Sequence, residues 1–117
     1  MLIDGSPEFQ KGAILPPLRE CNSLEDVRVN IDRIDRQLVA LLAERGGYVK
    51  QAARFKKTTD DVQAPQRVEQ VIAKVVALSR ELRANPTVTE QVYRAMISAF
   101  ISVELEEHTA LGEKSDM

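Results

Sequence analysis

A chain of 117 residues holds one domain with a modest core. With 4% aromatic residues, no Trp and 29% charged residues, it suits helices packed through Leu, Ile, Val and Ala, not a β-sandwich. A net charge of -2 gives no general attraction to nucleic acid, and no apolar run approaches the ~20 residues that cross a bilayer, so neither nucleic acid nor membrane is expected as a partner. One cysteine, Cys21, and one histidine, His108, exclude an internal disulfide and leave no recognisable zinc set. No metal or cofactor is expected. The N-terminus lacks a basic region followed by an apolar stretch, so no signal peptide is read and a cytoplasmic location is expected.

Residues 1–21 read as a disordered or tag-derived segment, because Gly5-Ser6-Pro7-Glu8-Phe9 resembles a cloning scar and Pro16-Pro17 begins a long helix poorly. Residues 22–110 are expected to form the helical domain and 111–117 a loose tail. The first helix starts at Asn22-Ser23, with Glu25 and Asp26 complementing its dipole. Its apolar seam, spaced by three and four, runs through Leu24, Val27, Ile31, Ile34, Leu38 and Leu41 to Tyr48, Ala52 and Phe55. That pattern predicts a helix to about Lys56 or Lys57. Gly46-Gly47 interrupt it at roughly 1 kcal/mol each against Ala, as a kink or as room for another group to come close.

Lys57 to Gln63 reads as a polar loop. Pro65 suits the first turn of a second helix, whose apolar face is Val68, Val71, Ile72, Val75, Leu78 and Leu82, ending before Asn85-Pro86. Thr87-Val88-Thr89-Glu90 reads as a capping box that starts a third helix. That helix carries Tyr93, Met96, Ile97, Phe100, Ile101 and Leu105 and fades near His108. No segment alternates like a strand, so the fold class is all-α with three helices. A first helix of roughly 34 residues is ~50 Å long, beyond what two helices of ~20 residues cover. A second copy in an intertwined homodimer is the simplest cover.

Basic residues interrupt this seam. Arg45 occupies the missing seam position, with no carboxylate spaced to pair with it on that face; a guanidinium there is costly unless an anion satisfies it. Lys56 follows Arg45 by eleven residues, three helical turns or about 16 Å along one face, so the pair can clamp a small dianion. Arg28, seventeen residues before Arg45 and roughly 25 Å away, cannot reach the same molecule from the same helix, but an antiparallel partner chain can deliver it. Arg67 lies at the edge of the second apolar face. Glu104 follows Ile97 by seven and Phe100 by four, which turns it toward the core side. Taken singly, Arg67 reads more readily as an arginine that snorkels to solvent or pairs with a carboxylate, and Glu104 as a surface residue at a helix end; Arg45, on the seam itself, reads evenly either way.

Leu24-Glu-Asp-Val-Arg28-Val-Asn-Ile-Asp-Arg-Ile-Asp35, Leu41-Leu-Ala-Glu-Arg45, Tyr48-Val49-Lys50, Arg54-Phe55-Lys56 and Ala64-Pro65-Gln66-Arg67 together resemble the all-helical chorismate mutase family. Within it the chain looks similar to the branch that includes isochorismate pyruvate lyases. The likeness covers about Leu24 to Glu107. It implies an intertwined three-helix homodimer with two equivalent sites and a small dicarboxylate substrate, chorismate or isochorismate. It also implies that Arg28 of the partner chain and Arg45 bind the substrate carboxylates, that Lys56 contacts a carboxylate and the ether oxygen, and that Arg67 adds positive charge. Glu104 falls where the family has Gln or Glu donating to that oxygen. Ala64 and Val68 stand where many mutases have acidic residues, as in the lyases, whereas those lyases carry Gln at the position of Glu104.

The leading expectation is therefore a chorismate mutase, which rearranges chorismate to prephenate without metal or covalent intermediate. The alternative is an isochorismate pyruvate lyase, which yields salicylate and pyruvate. A third reading is a noncatalytic helical dimer that binds a small dicarboxylate, in which Arg45→Ala leaves the dimer as stable or more so. A charged Glu104 would repel an oxyanion, so a mutase of this kind is expected to work faster toward acidic pH.

Overall fold

The computed structural model describes residues 18–115. Residues 1–17 and 116–117, which carry most of the expected N-terminal segment and the end of the tail, lie outside the described residues. The described chain is all-helical: α1 (Leu24–Ala53), α2 (Thr59–Gln63), α3 (Pro65–Glu81) and α4 (Pro86–Ser115), with no strand among the described residues. It divides into two compact units. One is Ala64–Ala99; the other comprises Leu18–Gln63 and the chain from Phe100 onward.

In the second unit, Ser23 caps α1: its hydroxyl accepts from the Asp26 amide at 3.0 Å, while the Asp26 carboxylate accepts from Asn22 N–H at 3.3 Å. α1 passes through Gly46-Gly47 without interruption. It stops at Ala53 and does not reach Lys56 or Lys57 as its sequence suggests. Arg54, Phe55 and Lys56 donate instead to the carbonyls three residues back, of Gln51, Ala52 and Ala53; this tighter turn closes the helix. The expected loop then holds the short helix α2, because Thr58 and Asp61 form a reciprocal cap. Asp61 N–H donates to Thr58 Oγ1 at 3.1 Å, and the Asp61 carboxylate accepts from Thr58 N–H at 3.2 Å and Lys57 N–H at 3.0 Å. Val62, on α2, is the most deeply buried apolar side chain described.

In the first unit, Pro65 opens α3 behind Ala64, whose backbone is left-handed at φ 37. α3 buries Ile72 and Ser79. It closes in a Schellman motif, with Ala84 N–H donating to Ser79 carbonyl at 2.8 Å and Arg83 N–H to Arg80 carbonyl at 3.2 Å around a left-handed Arg83 at φ 61. α4 begins at Pro86, one residue before the expected cap. Asn85 does the capping, its side-chain oxygen accepting from Thr87 and Val88 N–H at 3.0 and 3.3 Å. Thr89 and Glu90 are used elsewhere: Thr89 Oγ1 lies 2.8 Å from Ser79 Oγ, and Glu90 binds Arg94 at 2.9 Å. Arg94 also forks onto Glu69 at 2.8 and 3.0 Å, which holds the Glu69 carboxyl below its ordinary range and Arg94 above its own. α4 continues past His108, so the backbone of residues 111–115 is helical. No described helix is long and apolar enough to cross a membrane.

Arg83 occupies a conformation in which a Cβ is penalised. Arg83→Gly is expected to stabilise the fold by about 0.5–1 kcal/mol, read as a rise in thermal midpoint. The Lys57 and Thr58 amides hold the Asp61 carboxyl below its ordinary 3.8. A depressed folded value contributes stability above the unfolded value that is lost as pH falls through the folded one. The Lys57 and Thr58 amide resonances should therefore shift together with Asp61 on acidification below pH 3.8, and Asp61→Asn should abolish that step.

Candidate active site

The unit that contains α1 holds four of the charged positions, Arg28, Arg45, Lys56 and Glu104. Lys56 and Glu104, separated by 48 residues, meet directly. Lys56 Nζ donates to both carboxylate oxygens of Glu104, at 2.9 Å to Oε2 and 3.2 Å to Oε1. Glu104 is only 4% exposed, as its spacing from Ile97 and Phe100 predicts, whereas the Lys56 side chain retains 27% exposure. An ionised carboxylate this deep needs a cation and hydrogen bonds, and Lys56 supplies both. No buried side-chain nitrogen or oxygen among the described residues lacks a partner.

Because α1 ends at Ala53, the expected helical spacing between Arg45 and Lys56 does not apply. Lys56 lies in the segment after the helix, and its position is set by the closing turn and by Glu104. Arg45, still on α1, is half-buried. Its guanidinium carbon lies 5.4 Å from the centre of the Phe100 ring, within the range of a cation–π contact. Arg45 thus has an aromatic face as support, an interaction that leaves its five donors available. Its neighbour Gly46 makes room: a Cβ added there would lie 3.1 Å from Phe100 Cε1.

Arg28 sits exposed in the second turn of α1, and the unbroken helix keeps it about 25 Å from Arg45. One chain does not bring those two together. Arg67 lies exposed in the first turn of α3, in the other unit. Neither Phe100 as the support of Arg45 nor Glu104 as the partner of Lys56 follows from the sequence. Both are contacts between distant segments, and the only local signal was the inward register of Phe100 and Glu104 on α4.

Removing Lys56 leaves a buried carboxylate without its cation. Lys56→Ala is expected to destabilise the fold by about 1–3 kcal/mol, below the range for fully buried pairs because Lys56 is partly solvated. Glu104→Gln, which keeps one acceptor and loses the charge, should cost less than about 1 kcal/mol. Chemical denaturation of the two variants against wild type gives both values.

The comparisons with known proteins agree with this architecture. The family model for chorismate mutase type II matches residues 27–105, which include Arg28, Arg45, Lys56, Arg67 and Glu104. The isochorismate pyruvate lyase of Pseudomonas aeruginosa is 31% identical over 87 residues, covering 74% of this chain and 86% of that protein. The bifunctional chorismate mutase/prephenate dehydratase of Aquifex aeolicus is 32% identical over 97 residues; the match takes in 79% of this chain but only 27% of that longer enzyme. With a match across most of its length, and with helices as the regular structure of the matched residues, this chain belongs to the type II chorismate mutase family.

Proposed function

We propose that the protein rearranges chorismate to prephenate in a site shared between two copies of the chain. The observation that carries this reading is the hydrogen-bonded approach of Lys56 Nζ to Glu104 at 2.9 Å. The reaction breaks a C–O bond while a C–C bond forms, and negative charge grows on the ether oxygen that leaves. No nucleophile is required. The protein has to hold the substrate in a compact conformer and supply preorganised donors where that charge develops. Two groups within one hydrogen bond of each other can converge on a single oxygen placed between them. Lys56 donates as an ammonium, and Glu104 donates once it carries a proton.

The remaining cations take the two substrate carboxylates. Arg45, with its donors free, binds one; Arg28 of the partner chain binds at the same site, and Arg67 adds positive charge. The shared site rests on the exposed seam of α1. Leu24, Ile31, Leu38, Leu41 and Tyr48 are each exposed by half or more, and Phe55 beyond the helix by 82%. A continuous apolar stripe of this length is an association surface, and a second α1 is the cover with matching length and chemistry. A cytoplasmic location accords with this reading.

A second reading is favoured by the match to the isochorismate pyruvate lyase, which spans 86% of that protein. Elimination of pyruvate from isochorismate also passes through breakage of the ether C–O bond, and the same cations serve it. A noncatalytic dimer that captures a small dicarboxylate is the reading left if neither substrate is converted.

Purified protein should form prephenate from chorismate faster as pH falls from 8 to 5, because a charged Glu104 would repel the oxyanion to which a neutral one can donate. Glu104→Gln should flatten that dependence; an unchanged profile in this variant removes Glu104 from the mechanism. Conversion of isochorismate to salicylate and pyruvate, with chorismate untouched, would establish the lyase instead. Arg28→Ala and Arg45→Ala should each lower kcat/KM by about 100-fold or more. Mixed after unfolding and refolding, the two inactive variants should recover about one quarter of wild-type activity, as random pairing gives half heterodimers with one intact site each. No recovery would mean that each chain builds its own site.

A further inference from the structure

Arg45 and Gly46 are consecutive on α1, and both address the same ring on α4. The Arg45 guanidinium lies 5.4 Å from the centre of Phe100, while the edge of that ring, Cε1 and Cζ, approaches within 3.1 and 3.5 Å of where a Cβ on Gly46 would stand. The neighbouring Gly47 has nothing within 4 Å of its own added Cβ. A glycine inside a helix disfavours that helix relative to alanine, and at Gly46 the compensation is visible as the close approach of an aromatic ring. A side chain at this position would have to push the ring outward by a few tenths of an ångström or more.

We propose that Phe100 is a positioning residue for Arg45, and that Gly46 is the opening in α1 that lets the ring lie beneath the guanidinium. Arginine has four rotatable side-chain bonds, and fixing them on binding weakens affinity. A ring that already holds the guanidinium plane removes part of that loss without consuming a donor, as a carboxylate partner would. Phe100 therefore acts on substrate affinity through Arg45 and does not touch the reacting atoms. This role rests on the assignment of Arg45 to a substrate carboxylate made above.

The test has a structural and a kinetic arm. By NMR, the Arg45 side-chain protons should show an upfield ring-current shift that Phe100→Leu abolishes and Phe100→Tyr retains. In steady-state kinetics on chorismate, or on isochorismate if that is the substrate converted, Phe100→Leu should raise KM about three- to tenfold with kcat within about twofold. Phe100→Tyr should restore KM, and Gly46→Ala should raise it although alanine is the better helix former. The pH profile should not move, because Phe100 carries no titratable group. In an Arg45→Ala background, Phe100→Leu should lower kcat/KM by less than about twofold. An unshifted Arg45, an unchanged KM in folded Phe100→Leu, a displaced pH profile, or an equal loss in the Arg45→Ala background each overturns the role of Phe100. Wild-type protein that converts neither substrate overturns the reaction itself, and with it this role, which separates the two failures.

Discussion

A helix of 30 residues carries one apolar seam along most of its length, and that seam is exposed. α1 is about 45 Å long at 1.5 Å per residue. Isolated helices draw little stability from propensity alone and depend on burying an amphipathic face, so the seam sets the condition under which the chain can function. Everything of chemical interest in this unit hangs on α1 or its closing turn. Arg28 and Arg45 project from it, Gly46 opens it, and Lys56 follows directly from the turn that ends it. Rigidity of the helix also separates Arg28 from Arg45 by about 25 Å, so the proposed shared site needs a second copy of α1 to bring both to one ligand.

Lys56 and Arg45 are held by different physics. Lys56 is neutralised by a buried carboxylate at hydrogen-bond distance, which satisfies Glu104 but ties up the ammonium. Arg45 lies over a neutral ring, which orients the guanidinium and leaves its charge uncompensated. On the proposed reading, a dianionic ligand would meet an unpaired attraction at Arg45 and a competing carboxylate at Lys56. The exposed Arg94 cluster with Glu69 and Glu90 makes a useful contrast. There both partners are solvated and every fork of the guanidinium is occupied, so the cluster ties α3 to α4 within its unit and keeps little capacity for a ligand.

Much of the fold was legible because it rests on local rules. Ser23 caps α1, Pro65 opens α3, and the three- and four-residue spacings on α3 and α4 identify the faces that bury Ile72 and Ile97. Glu104 reads as inward from two neighbours on its own helix. The errors have a common origin in competition between caps. Gln51 to Lys56 are acceptable helix residues, yet the Thr58–Asp61 box begins a new helix so soon that α1 has to end first. The signature was present in Thr58-Thr59-Asp60-Asp61, with aspartate in place of the commoner Glu or Gln. At α4, Thr87 and Glu90 have the spacing of a box, but Asn85-Pro86 starts the helix earlier because proline fits its first turn.

What sequence could not supply is pairing across long stretches of chain. Nothing near Arg45 specifies that its partner is an aromatic ring 55 residues later, and nothing near Lys56 specifies Glu104. Yet both partners lie one turn apart on α4, at Phe100 and Glu104, so a single register of α4 against α1 and its closing turn serves both cations at once. A rotation of α4 by one residue, about 100°, would remove the ring from Arg45 and the carboxylate from Lys56 together. The Phe100 edge lies where a Cβ on Gly46 would stand, 3.1 Å from Cε1, so this register of α4 uses the space that a glycine leaves at position 46. Gly46 therefore accommodates the register in which α4 meets both Arg45 and Lys56, and its cost in helix propensity is offset by that close approach.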